Sequence, residues 1–203
     1  MSPSDSGPER ACSARSCRET GENVRERPFE SADFDGEMKR LGFSGWGFIE
    51  PSQIVFHEEV RRMCEANRCG QYGKTWACPP GVGSFEECRD RCLAFPRAMV
   101  FSGCYELEDC FDAEGMARGH GEFAKSCAAL RSRLEGEFLL LSNEGCARCA
   151  KCTYPDAPCR FPASLSPSVE GYGIFVHELA KSAGLRYKNP GDTVTYFGMC
   201  CFR

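Results

Sequence analysis

Hydrophobic and polar positions alternate along this chain in two distinct rhythms. Ala98 to Tyr105 is apolar enough for a buried strand, Phe138-Leu139-Leu140-Leu141 predicts a core strand, and Thr193 to Met199 alternates with the two-residue period of a strand. Ile54-Val55-Phe56 predicts a further short strand. Helical spacing takes over at Phe123, Cys127, Leu130, Leu134 and Phe138, which form one apolar stripe, with the second half of the helix leading into the Phe138 strand. It returns at Val176, Leu179, Ala180 and Ala183, with Gly184 as the stop.

Start signals sharpen these segments. Ser84 and Glu87 have capping-box spacing, so Ser84 is expected to cap a helix that runs to about Phe95, before Pro96. Glu58 to Met63 predicts a helical turn. Ser166 and Pro167 suit the N-cap and first position of the last helical segment, which Gly171 and Gly173 are expected to split. Gly42, Gly45 and Gly47, interleaved with Phe43, Trp46 and Phe48, form a GxxGxG array. It lacks the flanking strand and helix of a dinucleotide fingerprint, so turns around packed aromatics are expected. The resulting order is strand, helix, strand, cysteine loop, helix, strand. It predicts an α/β or α+β fold, a compact sandwich of a small sheet with flanking helices.

Residues 1–35 carry few large apolar groups and much Ser, Arg, Glu, Gly and Pro, which predicts a flexible, disordered N-terminal arm. The folded domain is expected over residues 36–203. Cys12 and Cys17 lie in the arm, without fixed geometry for a metal.

Cysteine changes the picture. There are 16 in 203 residues, against an apolar fraction of 42% that is sufficient for an ordinary core. Secreted disulfide scaffolds are usually shorter, and the first thirty residues lack the apolar region of a signal peptide. They are Arg-rich but equally acidic, which fits a transit peptide badly. No stretch is apolar for long enough to span a bilayer. A reducing cytoplasm is therefore expected, where clustered cysteines bind metal or do redox work. The net charge of -4 argues against nucleic-acid or anionic-membrane partners.

Two clusters stand out. Cys146-x2-Cys149-x2-Cys152-x6-Cys159 places four thiols too close for separate unstrained disulfides, but well for one metal centre. Its first three cysteines have the spacing that opens a bacterial ferredoxin motif, which points to a [4Fe–4S] cluster, with structural zinc and free thiols as the alternatives. Gly145 eases the turn, Pro155 and Pro158 stiffen the return, and Arg148, Lys151 and Arg160 offset thiolate charge. The first cluster is Cys64, Cys69 and Cys78, followed by Pro79-Pro80. It has three thiols. A fourth ligand would come from Cys88, Cys104, Cys200, Cys201 or Cys159, unless one iron stays open; buried core thiols are the bland alternative.

The remaining groups carry weaker signals. Cys88 and Cys92 share a helix face and are expected to pack, as is Cys127. Cys110 has no supporting context. Cys200 and Cys201 face opposite ways on a continuing strand, so one of them is expected to be buried. His57, His120 and His177 have no ligand spacing and are expected at the surface or satisfied in the core. Arg160, Tyr172 and Tyr196 are candidates for a pocket near the second cysteine cluster. Hydrolase and NTPase motifs do not occur.

Taken together, Cys64-x4-Cys69-Gly-x-Tyr72-Gly-x-x-Trp76-x-Cys78-Pro-Pro, Cys146-x2-Cys149-x2-Cys152, Tyr154-Pro-Asp-Ala-Pro-Cys159-Arg-Phe-Pro, Gly171-Tyr-Gly-Ile and Val194-Thr-Tyr resemble domain-of-unknown-function family 2284 across roughly residues 48–200. The resemblance implies a soluble, cysteine-rich, metal-binding protein. It favours the seven motif cysteines over the other nine. The leading expectation is a cytoplasmic protein with one or two [4Fe–4S] clusters that transfers electrons to a partner redox enzyme. A structural zinc module and an iron–sulfur enzyme with an open coordination position are the alternatives.

Overall fold

The computed structural model describes residues 27–142, 146 and 148–203. Most of the predicted arm, with Cys12 and Cys17, lies outside the described residues, as does Gly145. Phe29 and Phe34, within the stretch assigned to the arm, are buried.

The chain forms α1 (Phe34–Arg40), β1 (Gly45–Ile49), α2 (Glu58–Glu65), α3 (Phe85–Leu93), β2 (Arg97–Glu106), α4 (Ala113–Arg131), β3 (Phe138–Ser142), α5 (Val176–Ser182) and β4 (Thr193–Phe202). The four strands make one sheet in the order β1-β2-β4-β3, and every neighbouring pair is antiparallel. This is an α+β fold.

Period-two side chains divide the core between the faces of the sheet. On one face Val100, Leu141, Met199 and Cys201 pack with Cys88 and Cys92 of α3 and Leu179 of α5. On the other, Met99, Phe101, Leu140 and Cys200 pack with Phe123, Cys127 and Leu130 of α4 and Met38 of α1. Because helices cover both faces, Cys200 and Cys201 are both fully buried, not one of them. Burial pushes the Cys200 thiol far up, so it stays protonated.

The capping box at Ser84 forms as expected: the Ser84 hydroxyl accepts from Glu87 N at 3.1 Å, and Ser84 N donates to the Glu87 carboxylate at 2.7 Å. Three sequence expectations shift. The glycine array holds strand β1, not only turns; Gly47 has no Cβ to block the Ala183 carbonyl at the end of α5. Ile54–Phe56 is no strand: Pro51–Gln53 turn as a short 3-10 helix, and Phe56 makes a single bridge to Ile174. Ser166 and Pro167 start no helix, because α5 begins only at Val176, after Gly173 has adopted a left-handed φ of 77°.

The segment that replaces that helix positions the cysteines. Ser142 at the end of β3 pairs with Ser168: Ser142 N donates to Pro167 O at 3.1 Å, and Val169 N to Ser142 O at 3.1 Å. Ser168 N donates to Ala77 O at 2.9 Å. The two ends of the second cysteine loop and the end of the first are thus fastened at one buried junction of Ala77, Ser142 and Ser168.

Candidate metal centre

From that junction the second loop folds back on itself. Ala157 N donates to Thr153 O at 3.0 Å, and the Thr153 hydroxyl to Pro158 O at 2.9 Å, closing the turn between Cys152 and Cys159. Arg160 Nη1 reaches Lys151 O at 3.2 Å and ties the two arms together. Cys146, Cys149, Cys152 and Cys159 are all half-buried and line one cavity of about 400 Å³. The four thiols that the sequence grouped therefore face a common space.

The first loop supplies the opposite wall of that cavity. Gln71, Lys74, Thr75 and Trp76 line it. Trp76 Nε1 donates to Ala157 O at 3.1 Å, and its ring meets Tyr154 edge-on at 4.9 Å. Cys152 sits against both loops. Burial alone would raise its thiol, but the backbone N–H groups of Tyr154, Trp76 and Thr153, with the charge of Arg160, outweigh burial and hold it below its ordinary value. An amide-lined sulfur favours the thiolate, the form that ligates metal.

Cys64, Cys69 and Cys78 do not line this cavity. They form a second neighbourhood. Arg61 donates to Gly171 O at 2.6 Å and to Gly83 O, fixing α2 against the turn at Glu170–Tyr172. Cys64 follows one turn later on α2. Burial pushes its thiol up to about 11, and Cys78, Glu170 and Cys69 add to the effect. Burial also raises Cys78, against partial relief from Thr75 and Ser168. Cys64 and Cys78 therefore hold their protons when no metal is bound. Any metal entering there must displace them.

The proposed fourth ligands of this group lie elsewhere. Cys88 is fully buried in the core, its Sγ 3.6 Å from Arg61 Nη1 and 3.5 Å from Arg91 Nη2. Cys200 and Cys201 belong to the sheet core, Cys104 is half-buried on β2, and Cys159 lines the other cavity. Cys92 and Cys127 are buried as expected, and Cys110 is exposed. Tyr172 is fully buried and accepts from Arg91 at 2.8 Å, while the Tyr196 hydroxyl donates to Met116 O at 2.8 Å. Of the expected pocket trio, only Arg160 lines the cysteine cavity. The histidines have other partners: His57 meets Glu178 at 2.7 Å, His120 the Tyr196 ring and His177 the Tyr187 ring.

The family model described as "Predicted metal-binding protein (DUF2284)" matches residues 47–202. The chain belongs to this family. Neither the curated proteins nor the solved structures contain a match to it. The DUF2284 span includes both cysteine loops, their common junction and all four strands but for the first two residues of β1. Among the described residues, no three Cys, His, Asp or Glu side chains stand close enough to hold a single metal ion. The four thiols of the second loop instead surround a space many times the ~30 Å³ of one water in the liquid. Tetrahedral zinc needs sulfurs about 2.3 Å from one point. An all-thiol set suits zinc or iron–sulfur chemistry. Lys74 and Glu170 were missed by sequence reasoning. Neither is part of a recognisable spacing, and only the packing of the loops brings them to the cysteines.

Proposed function

We propose that this DUF2284 protein carries a [4Fe–4S] cluster on Cys146, Cys149, Cys152 and Cys159 and exchanges electrons with a partner redox protein in the cytoplasm. The observation that carries this reading is the shared cavity: four half-buried thiols around about 400 Å³, closed on one side by the first loop. When bound, such a cluster supplies a one-electron couple. The chain supplies the rest. Backbone N–H groups of Trp76, Thr153 and Tyr154 stabilise the Cys152 sulfur, and donors of this kind, with charge and exposure, set a cluster's potential. Arg148, Lys151 and Arg160 around the cavity favour the more negative state and raise the potential relative to neutral replacements. Cys64, Cys69 and Cys78 are the candidates for a second metal group.

Anaerobic purification followed by iron and acid-labile sulfide analysis tests the proposal. Equal iron and sulfide, near four per chain or twice that, with a visible band that bleaches reversibly on reduction, is the expected result. Cys149→Ser and Cys152→Ser should each lose that band. A colourless protein with stoichiometric zinc would refute the cluster and establish the structural-zinc reading instead.

A further inference from the structure

Among the described residues, the mouth of the cysteine cavity carries charge of one sign. Lys74, Arg148, Lys151 and Arg160 line it, all four exposed, and no described Asp or Glu does. Asp156, the described carboxylate of the same loop, lines the neighbouring cleft. Among the described residues none of the four cations forms an ion pair: Arg148 lies over the Phe161 ring at 5.0 Å, and Arg160 donates to the Lys151 carbonyl. This concentration occurs in a chain whose net charge is -4.

Balancing the metal centre does not account for all of it. An oxidised [4Fe–4S] core held by four thiolates is a dianion, and so is zinc held by four thiolates. Four cations exceed either, so the described lining of the loaded mouth stays positive. The cations are exposed and spread around the opening, with half-exposed Phe161 and the half-buried rings of Trp76 and Tyr154 between them. Enclosed sites for small anions converge buried donors on one point. Aromatic groups within a charged rim are instead the layout of a protein interface.

We propose that this basic mouth is the docking surface for an acidic protein, which presents carboxylates to Lys74, Arg148, Lys151 and Arg160 and an apolar spot to Phe161. The inference rests on the electron-transfer reading above for what the contact achieves, but not for its charge. Opposite charges would steer the partner to the cavity, where the distance to the centre is shortest. Steering of this type changes association rates by roughly 10–10³-fold and fades with salt.

The test uses the full chain, purified anaerobically with its metal and then reduced. Its oxidation is followed with two one-electron oxidants of opposite charge, ferricyanide and hexaammineruthenium(III). Each takes one electron from the centre and is itself reduced by one. A molecule acting through its net charge would favour the cation. The basic mouth predicts the reverse: the ferricyanide rate falls about tenfold or more from low to high salt, while the ruthenium rate rises or stays level. Lys74→Glu with Lys151→Glu should invert both slopes at unchanged metal content. Should that variant lose metal, Lys74→Gln with Lys151→Gln should flatten the ferricyanide slope.

A protein without a redox couple would sink the electron-transfer reading alone. The mouth is then tested by anisotropy of fluorescent poly-L-glutamate, expected to bind at low salt and to be released by the Lys-to-Gln pair. Identical salt slopes for both oxidants, or poly-L-glutamate binding untouched by the variants, would overturn the docking surface.

Discussion

Trp76 joins the two cysteine loops, and its replacement separates the contributions of that joint. Trp76→Phe keeps a ring against Tyr154 but removes the 3.1 Å hydrogen bond to Ala157 O, a loss of about 1 kcal/mol. Trp76→Ala also removes the edge-on ring pair, worth about 1 kcal/mol more. If the joint closes only when metal is bound, these costs appear as metal affinities weaker by about fivefold and about 30-fold. If it is closed in both states, they appear in unfolding free energy instead. Metal competition against a chromophoric chelator, run beside chemical denaturation of the same samples, captures both. The two losses should sum to the values above, and a double-mutant cycle with Tyr154→Ala should return a coupling near 1 kcal/mol. A Trp76→Phe variant that matches the parent in metal retention and in stability would show that the hydrogen bond joins nothing, and the common wall of the cavity would have to be argued anew.

Leu141→Ala empties a fully buried position beside the loop junction and should destabilise by about 3 kcal/mol, lowering the melting temperature by about 10 °C in a calorimetric scan. Ser84→Ala removes half of the α3 capping box and should cost about 1 kcal/mol in denaturant titrations, with the metal content unchanged. Asp112 caps α4 and accepts from Gly115 N at 2.7 Å and Glu108 N at 3.1 Å. These bonds, against a small opposing effect of burial, hold its carboxyl below its ordinary 3.8. The stability it contributes is therefore complete above that ordinary value and is lost as pH falls through the lower, folded-state one. Asp112→Asn should flatten the fall in melting temperature below about pH 4.

What the sequence disclosed depended on how local the determining forces were. Strands β2, β3 and β4 and helix α3 were legible because apolar runs, a two-residue alternation and a capping box act within a few residues. β1 was not: Gly-Trp-Gly-Phe-Ile has weak strand propensity, and only pairing with β2, about fifty residues away, makes it a strand. Ser166-Pro167 carried a sound local start signal, but the backbone beside it bonds to Ser142 and Ala77, so tertiary pairing overrode the cap. The same contrast holds for the site. Spacing found the four cysteines that line one cavity. It could not assign ligands to the first group, because Glu170 comes near Cys64 and Cys78 only through the packing of α2 against the distant turn at Glu170–Tyr172.

The position of the cysteine loops also decides what metal removal should do. Small zinc modules unfold without metal because the site is their core. Here both cores are built from the sheet and helices, and none of Cys64, Cys69, Cys78, Cys146, Cys149, Cys152 or Cys159 belongs to either. From residue 148 to residue 166 no residue is buried, whereas Ala77, Ser142 and Ser168 at the junction are. The metal-free loops would thus lose their mutual contacts while the sheet beneath keeps its own. Chelation should leave the far-UV circular dichroism nearly unchanged and open trypsin sites at Arg148, Lys151 and Arg160, with the rest of the folded body resisting digestion. Adding metal back should protect the three sites again. A cooperative loss of the whole dichroism signal on chelation would place the metal inside the folding core and contradict the separation of loop and sheet.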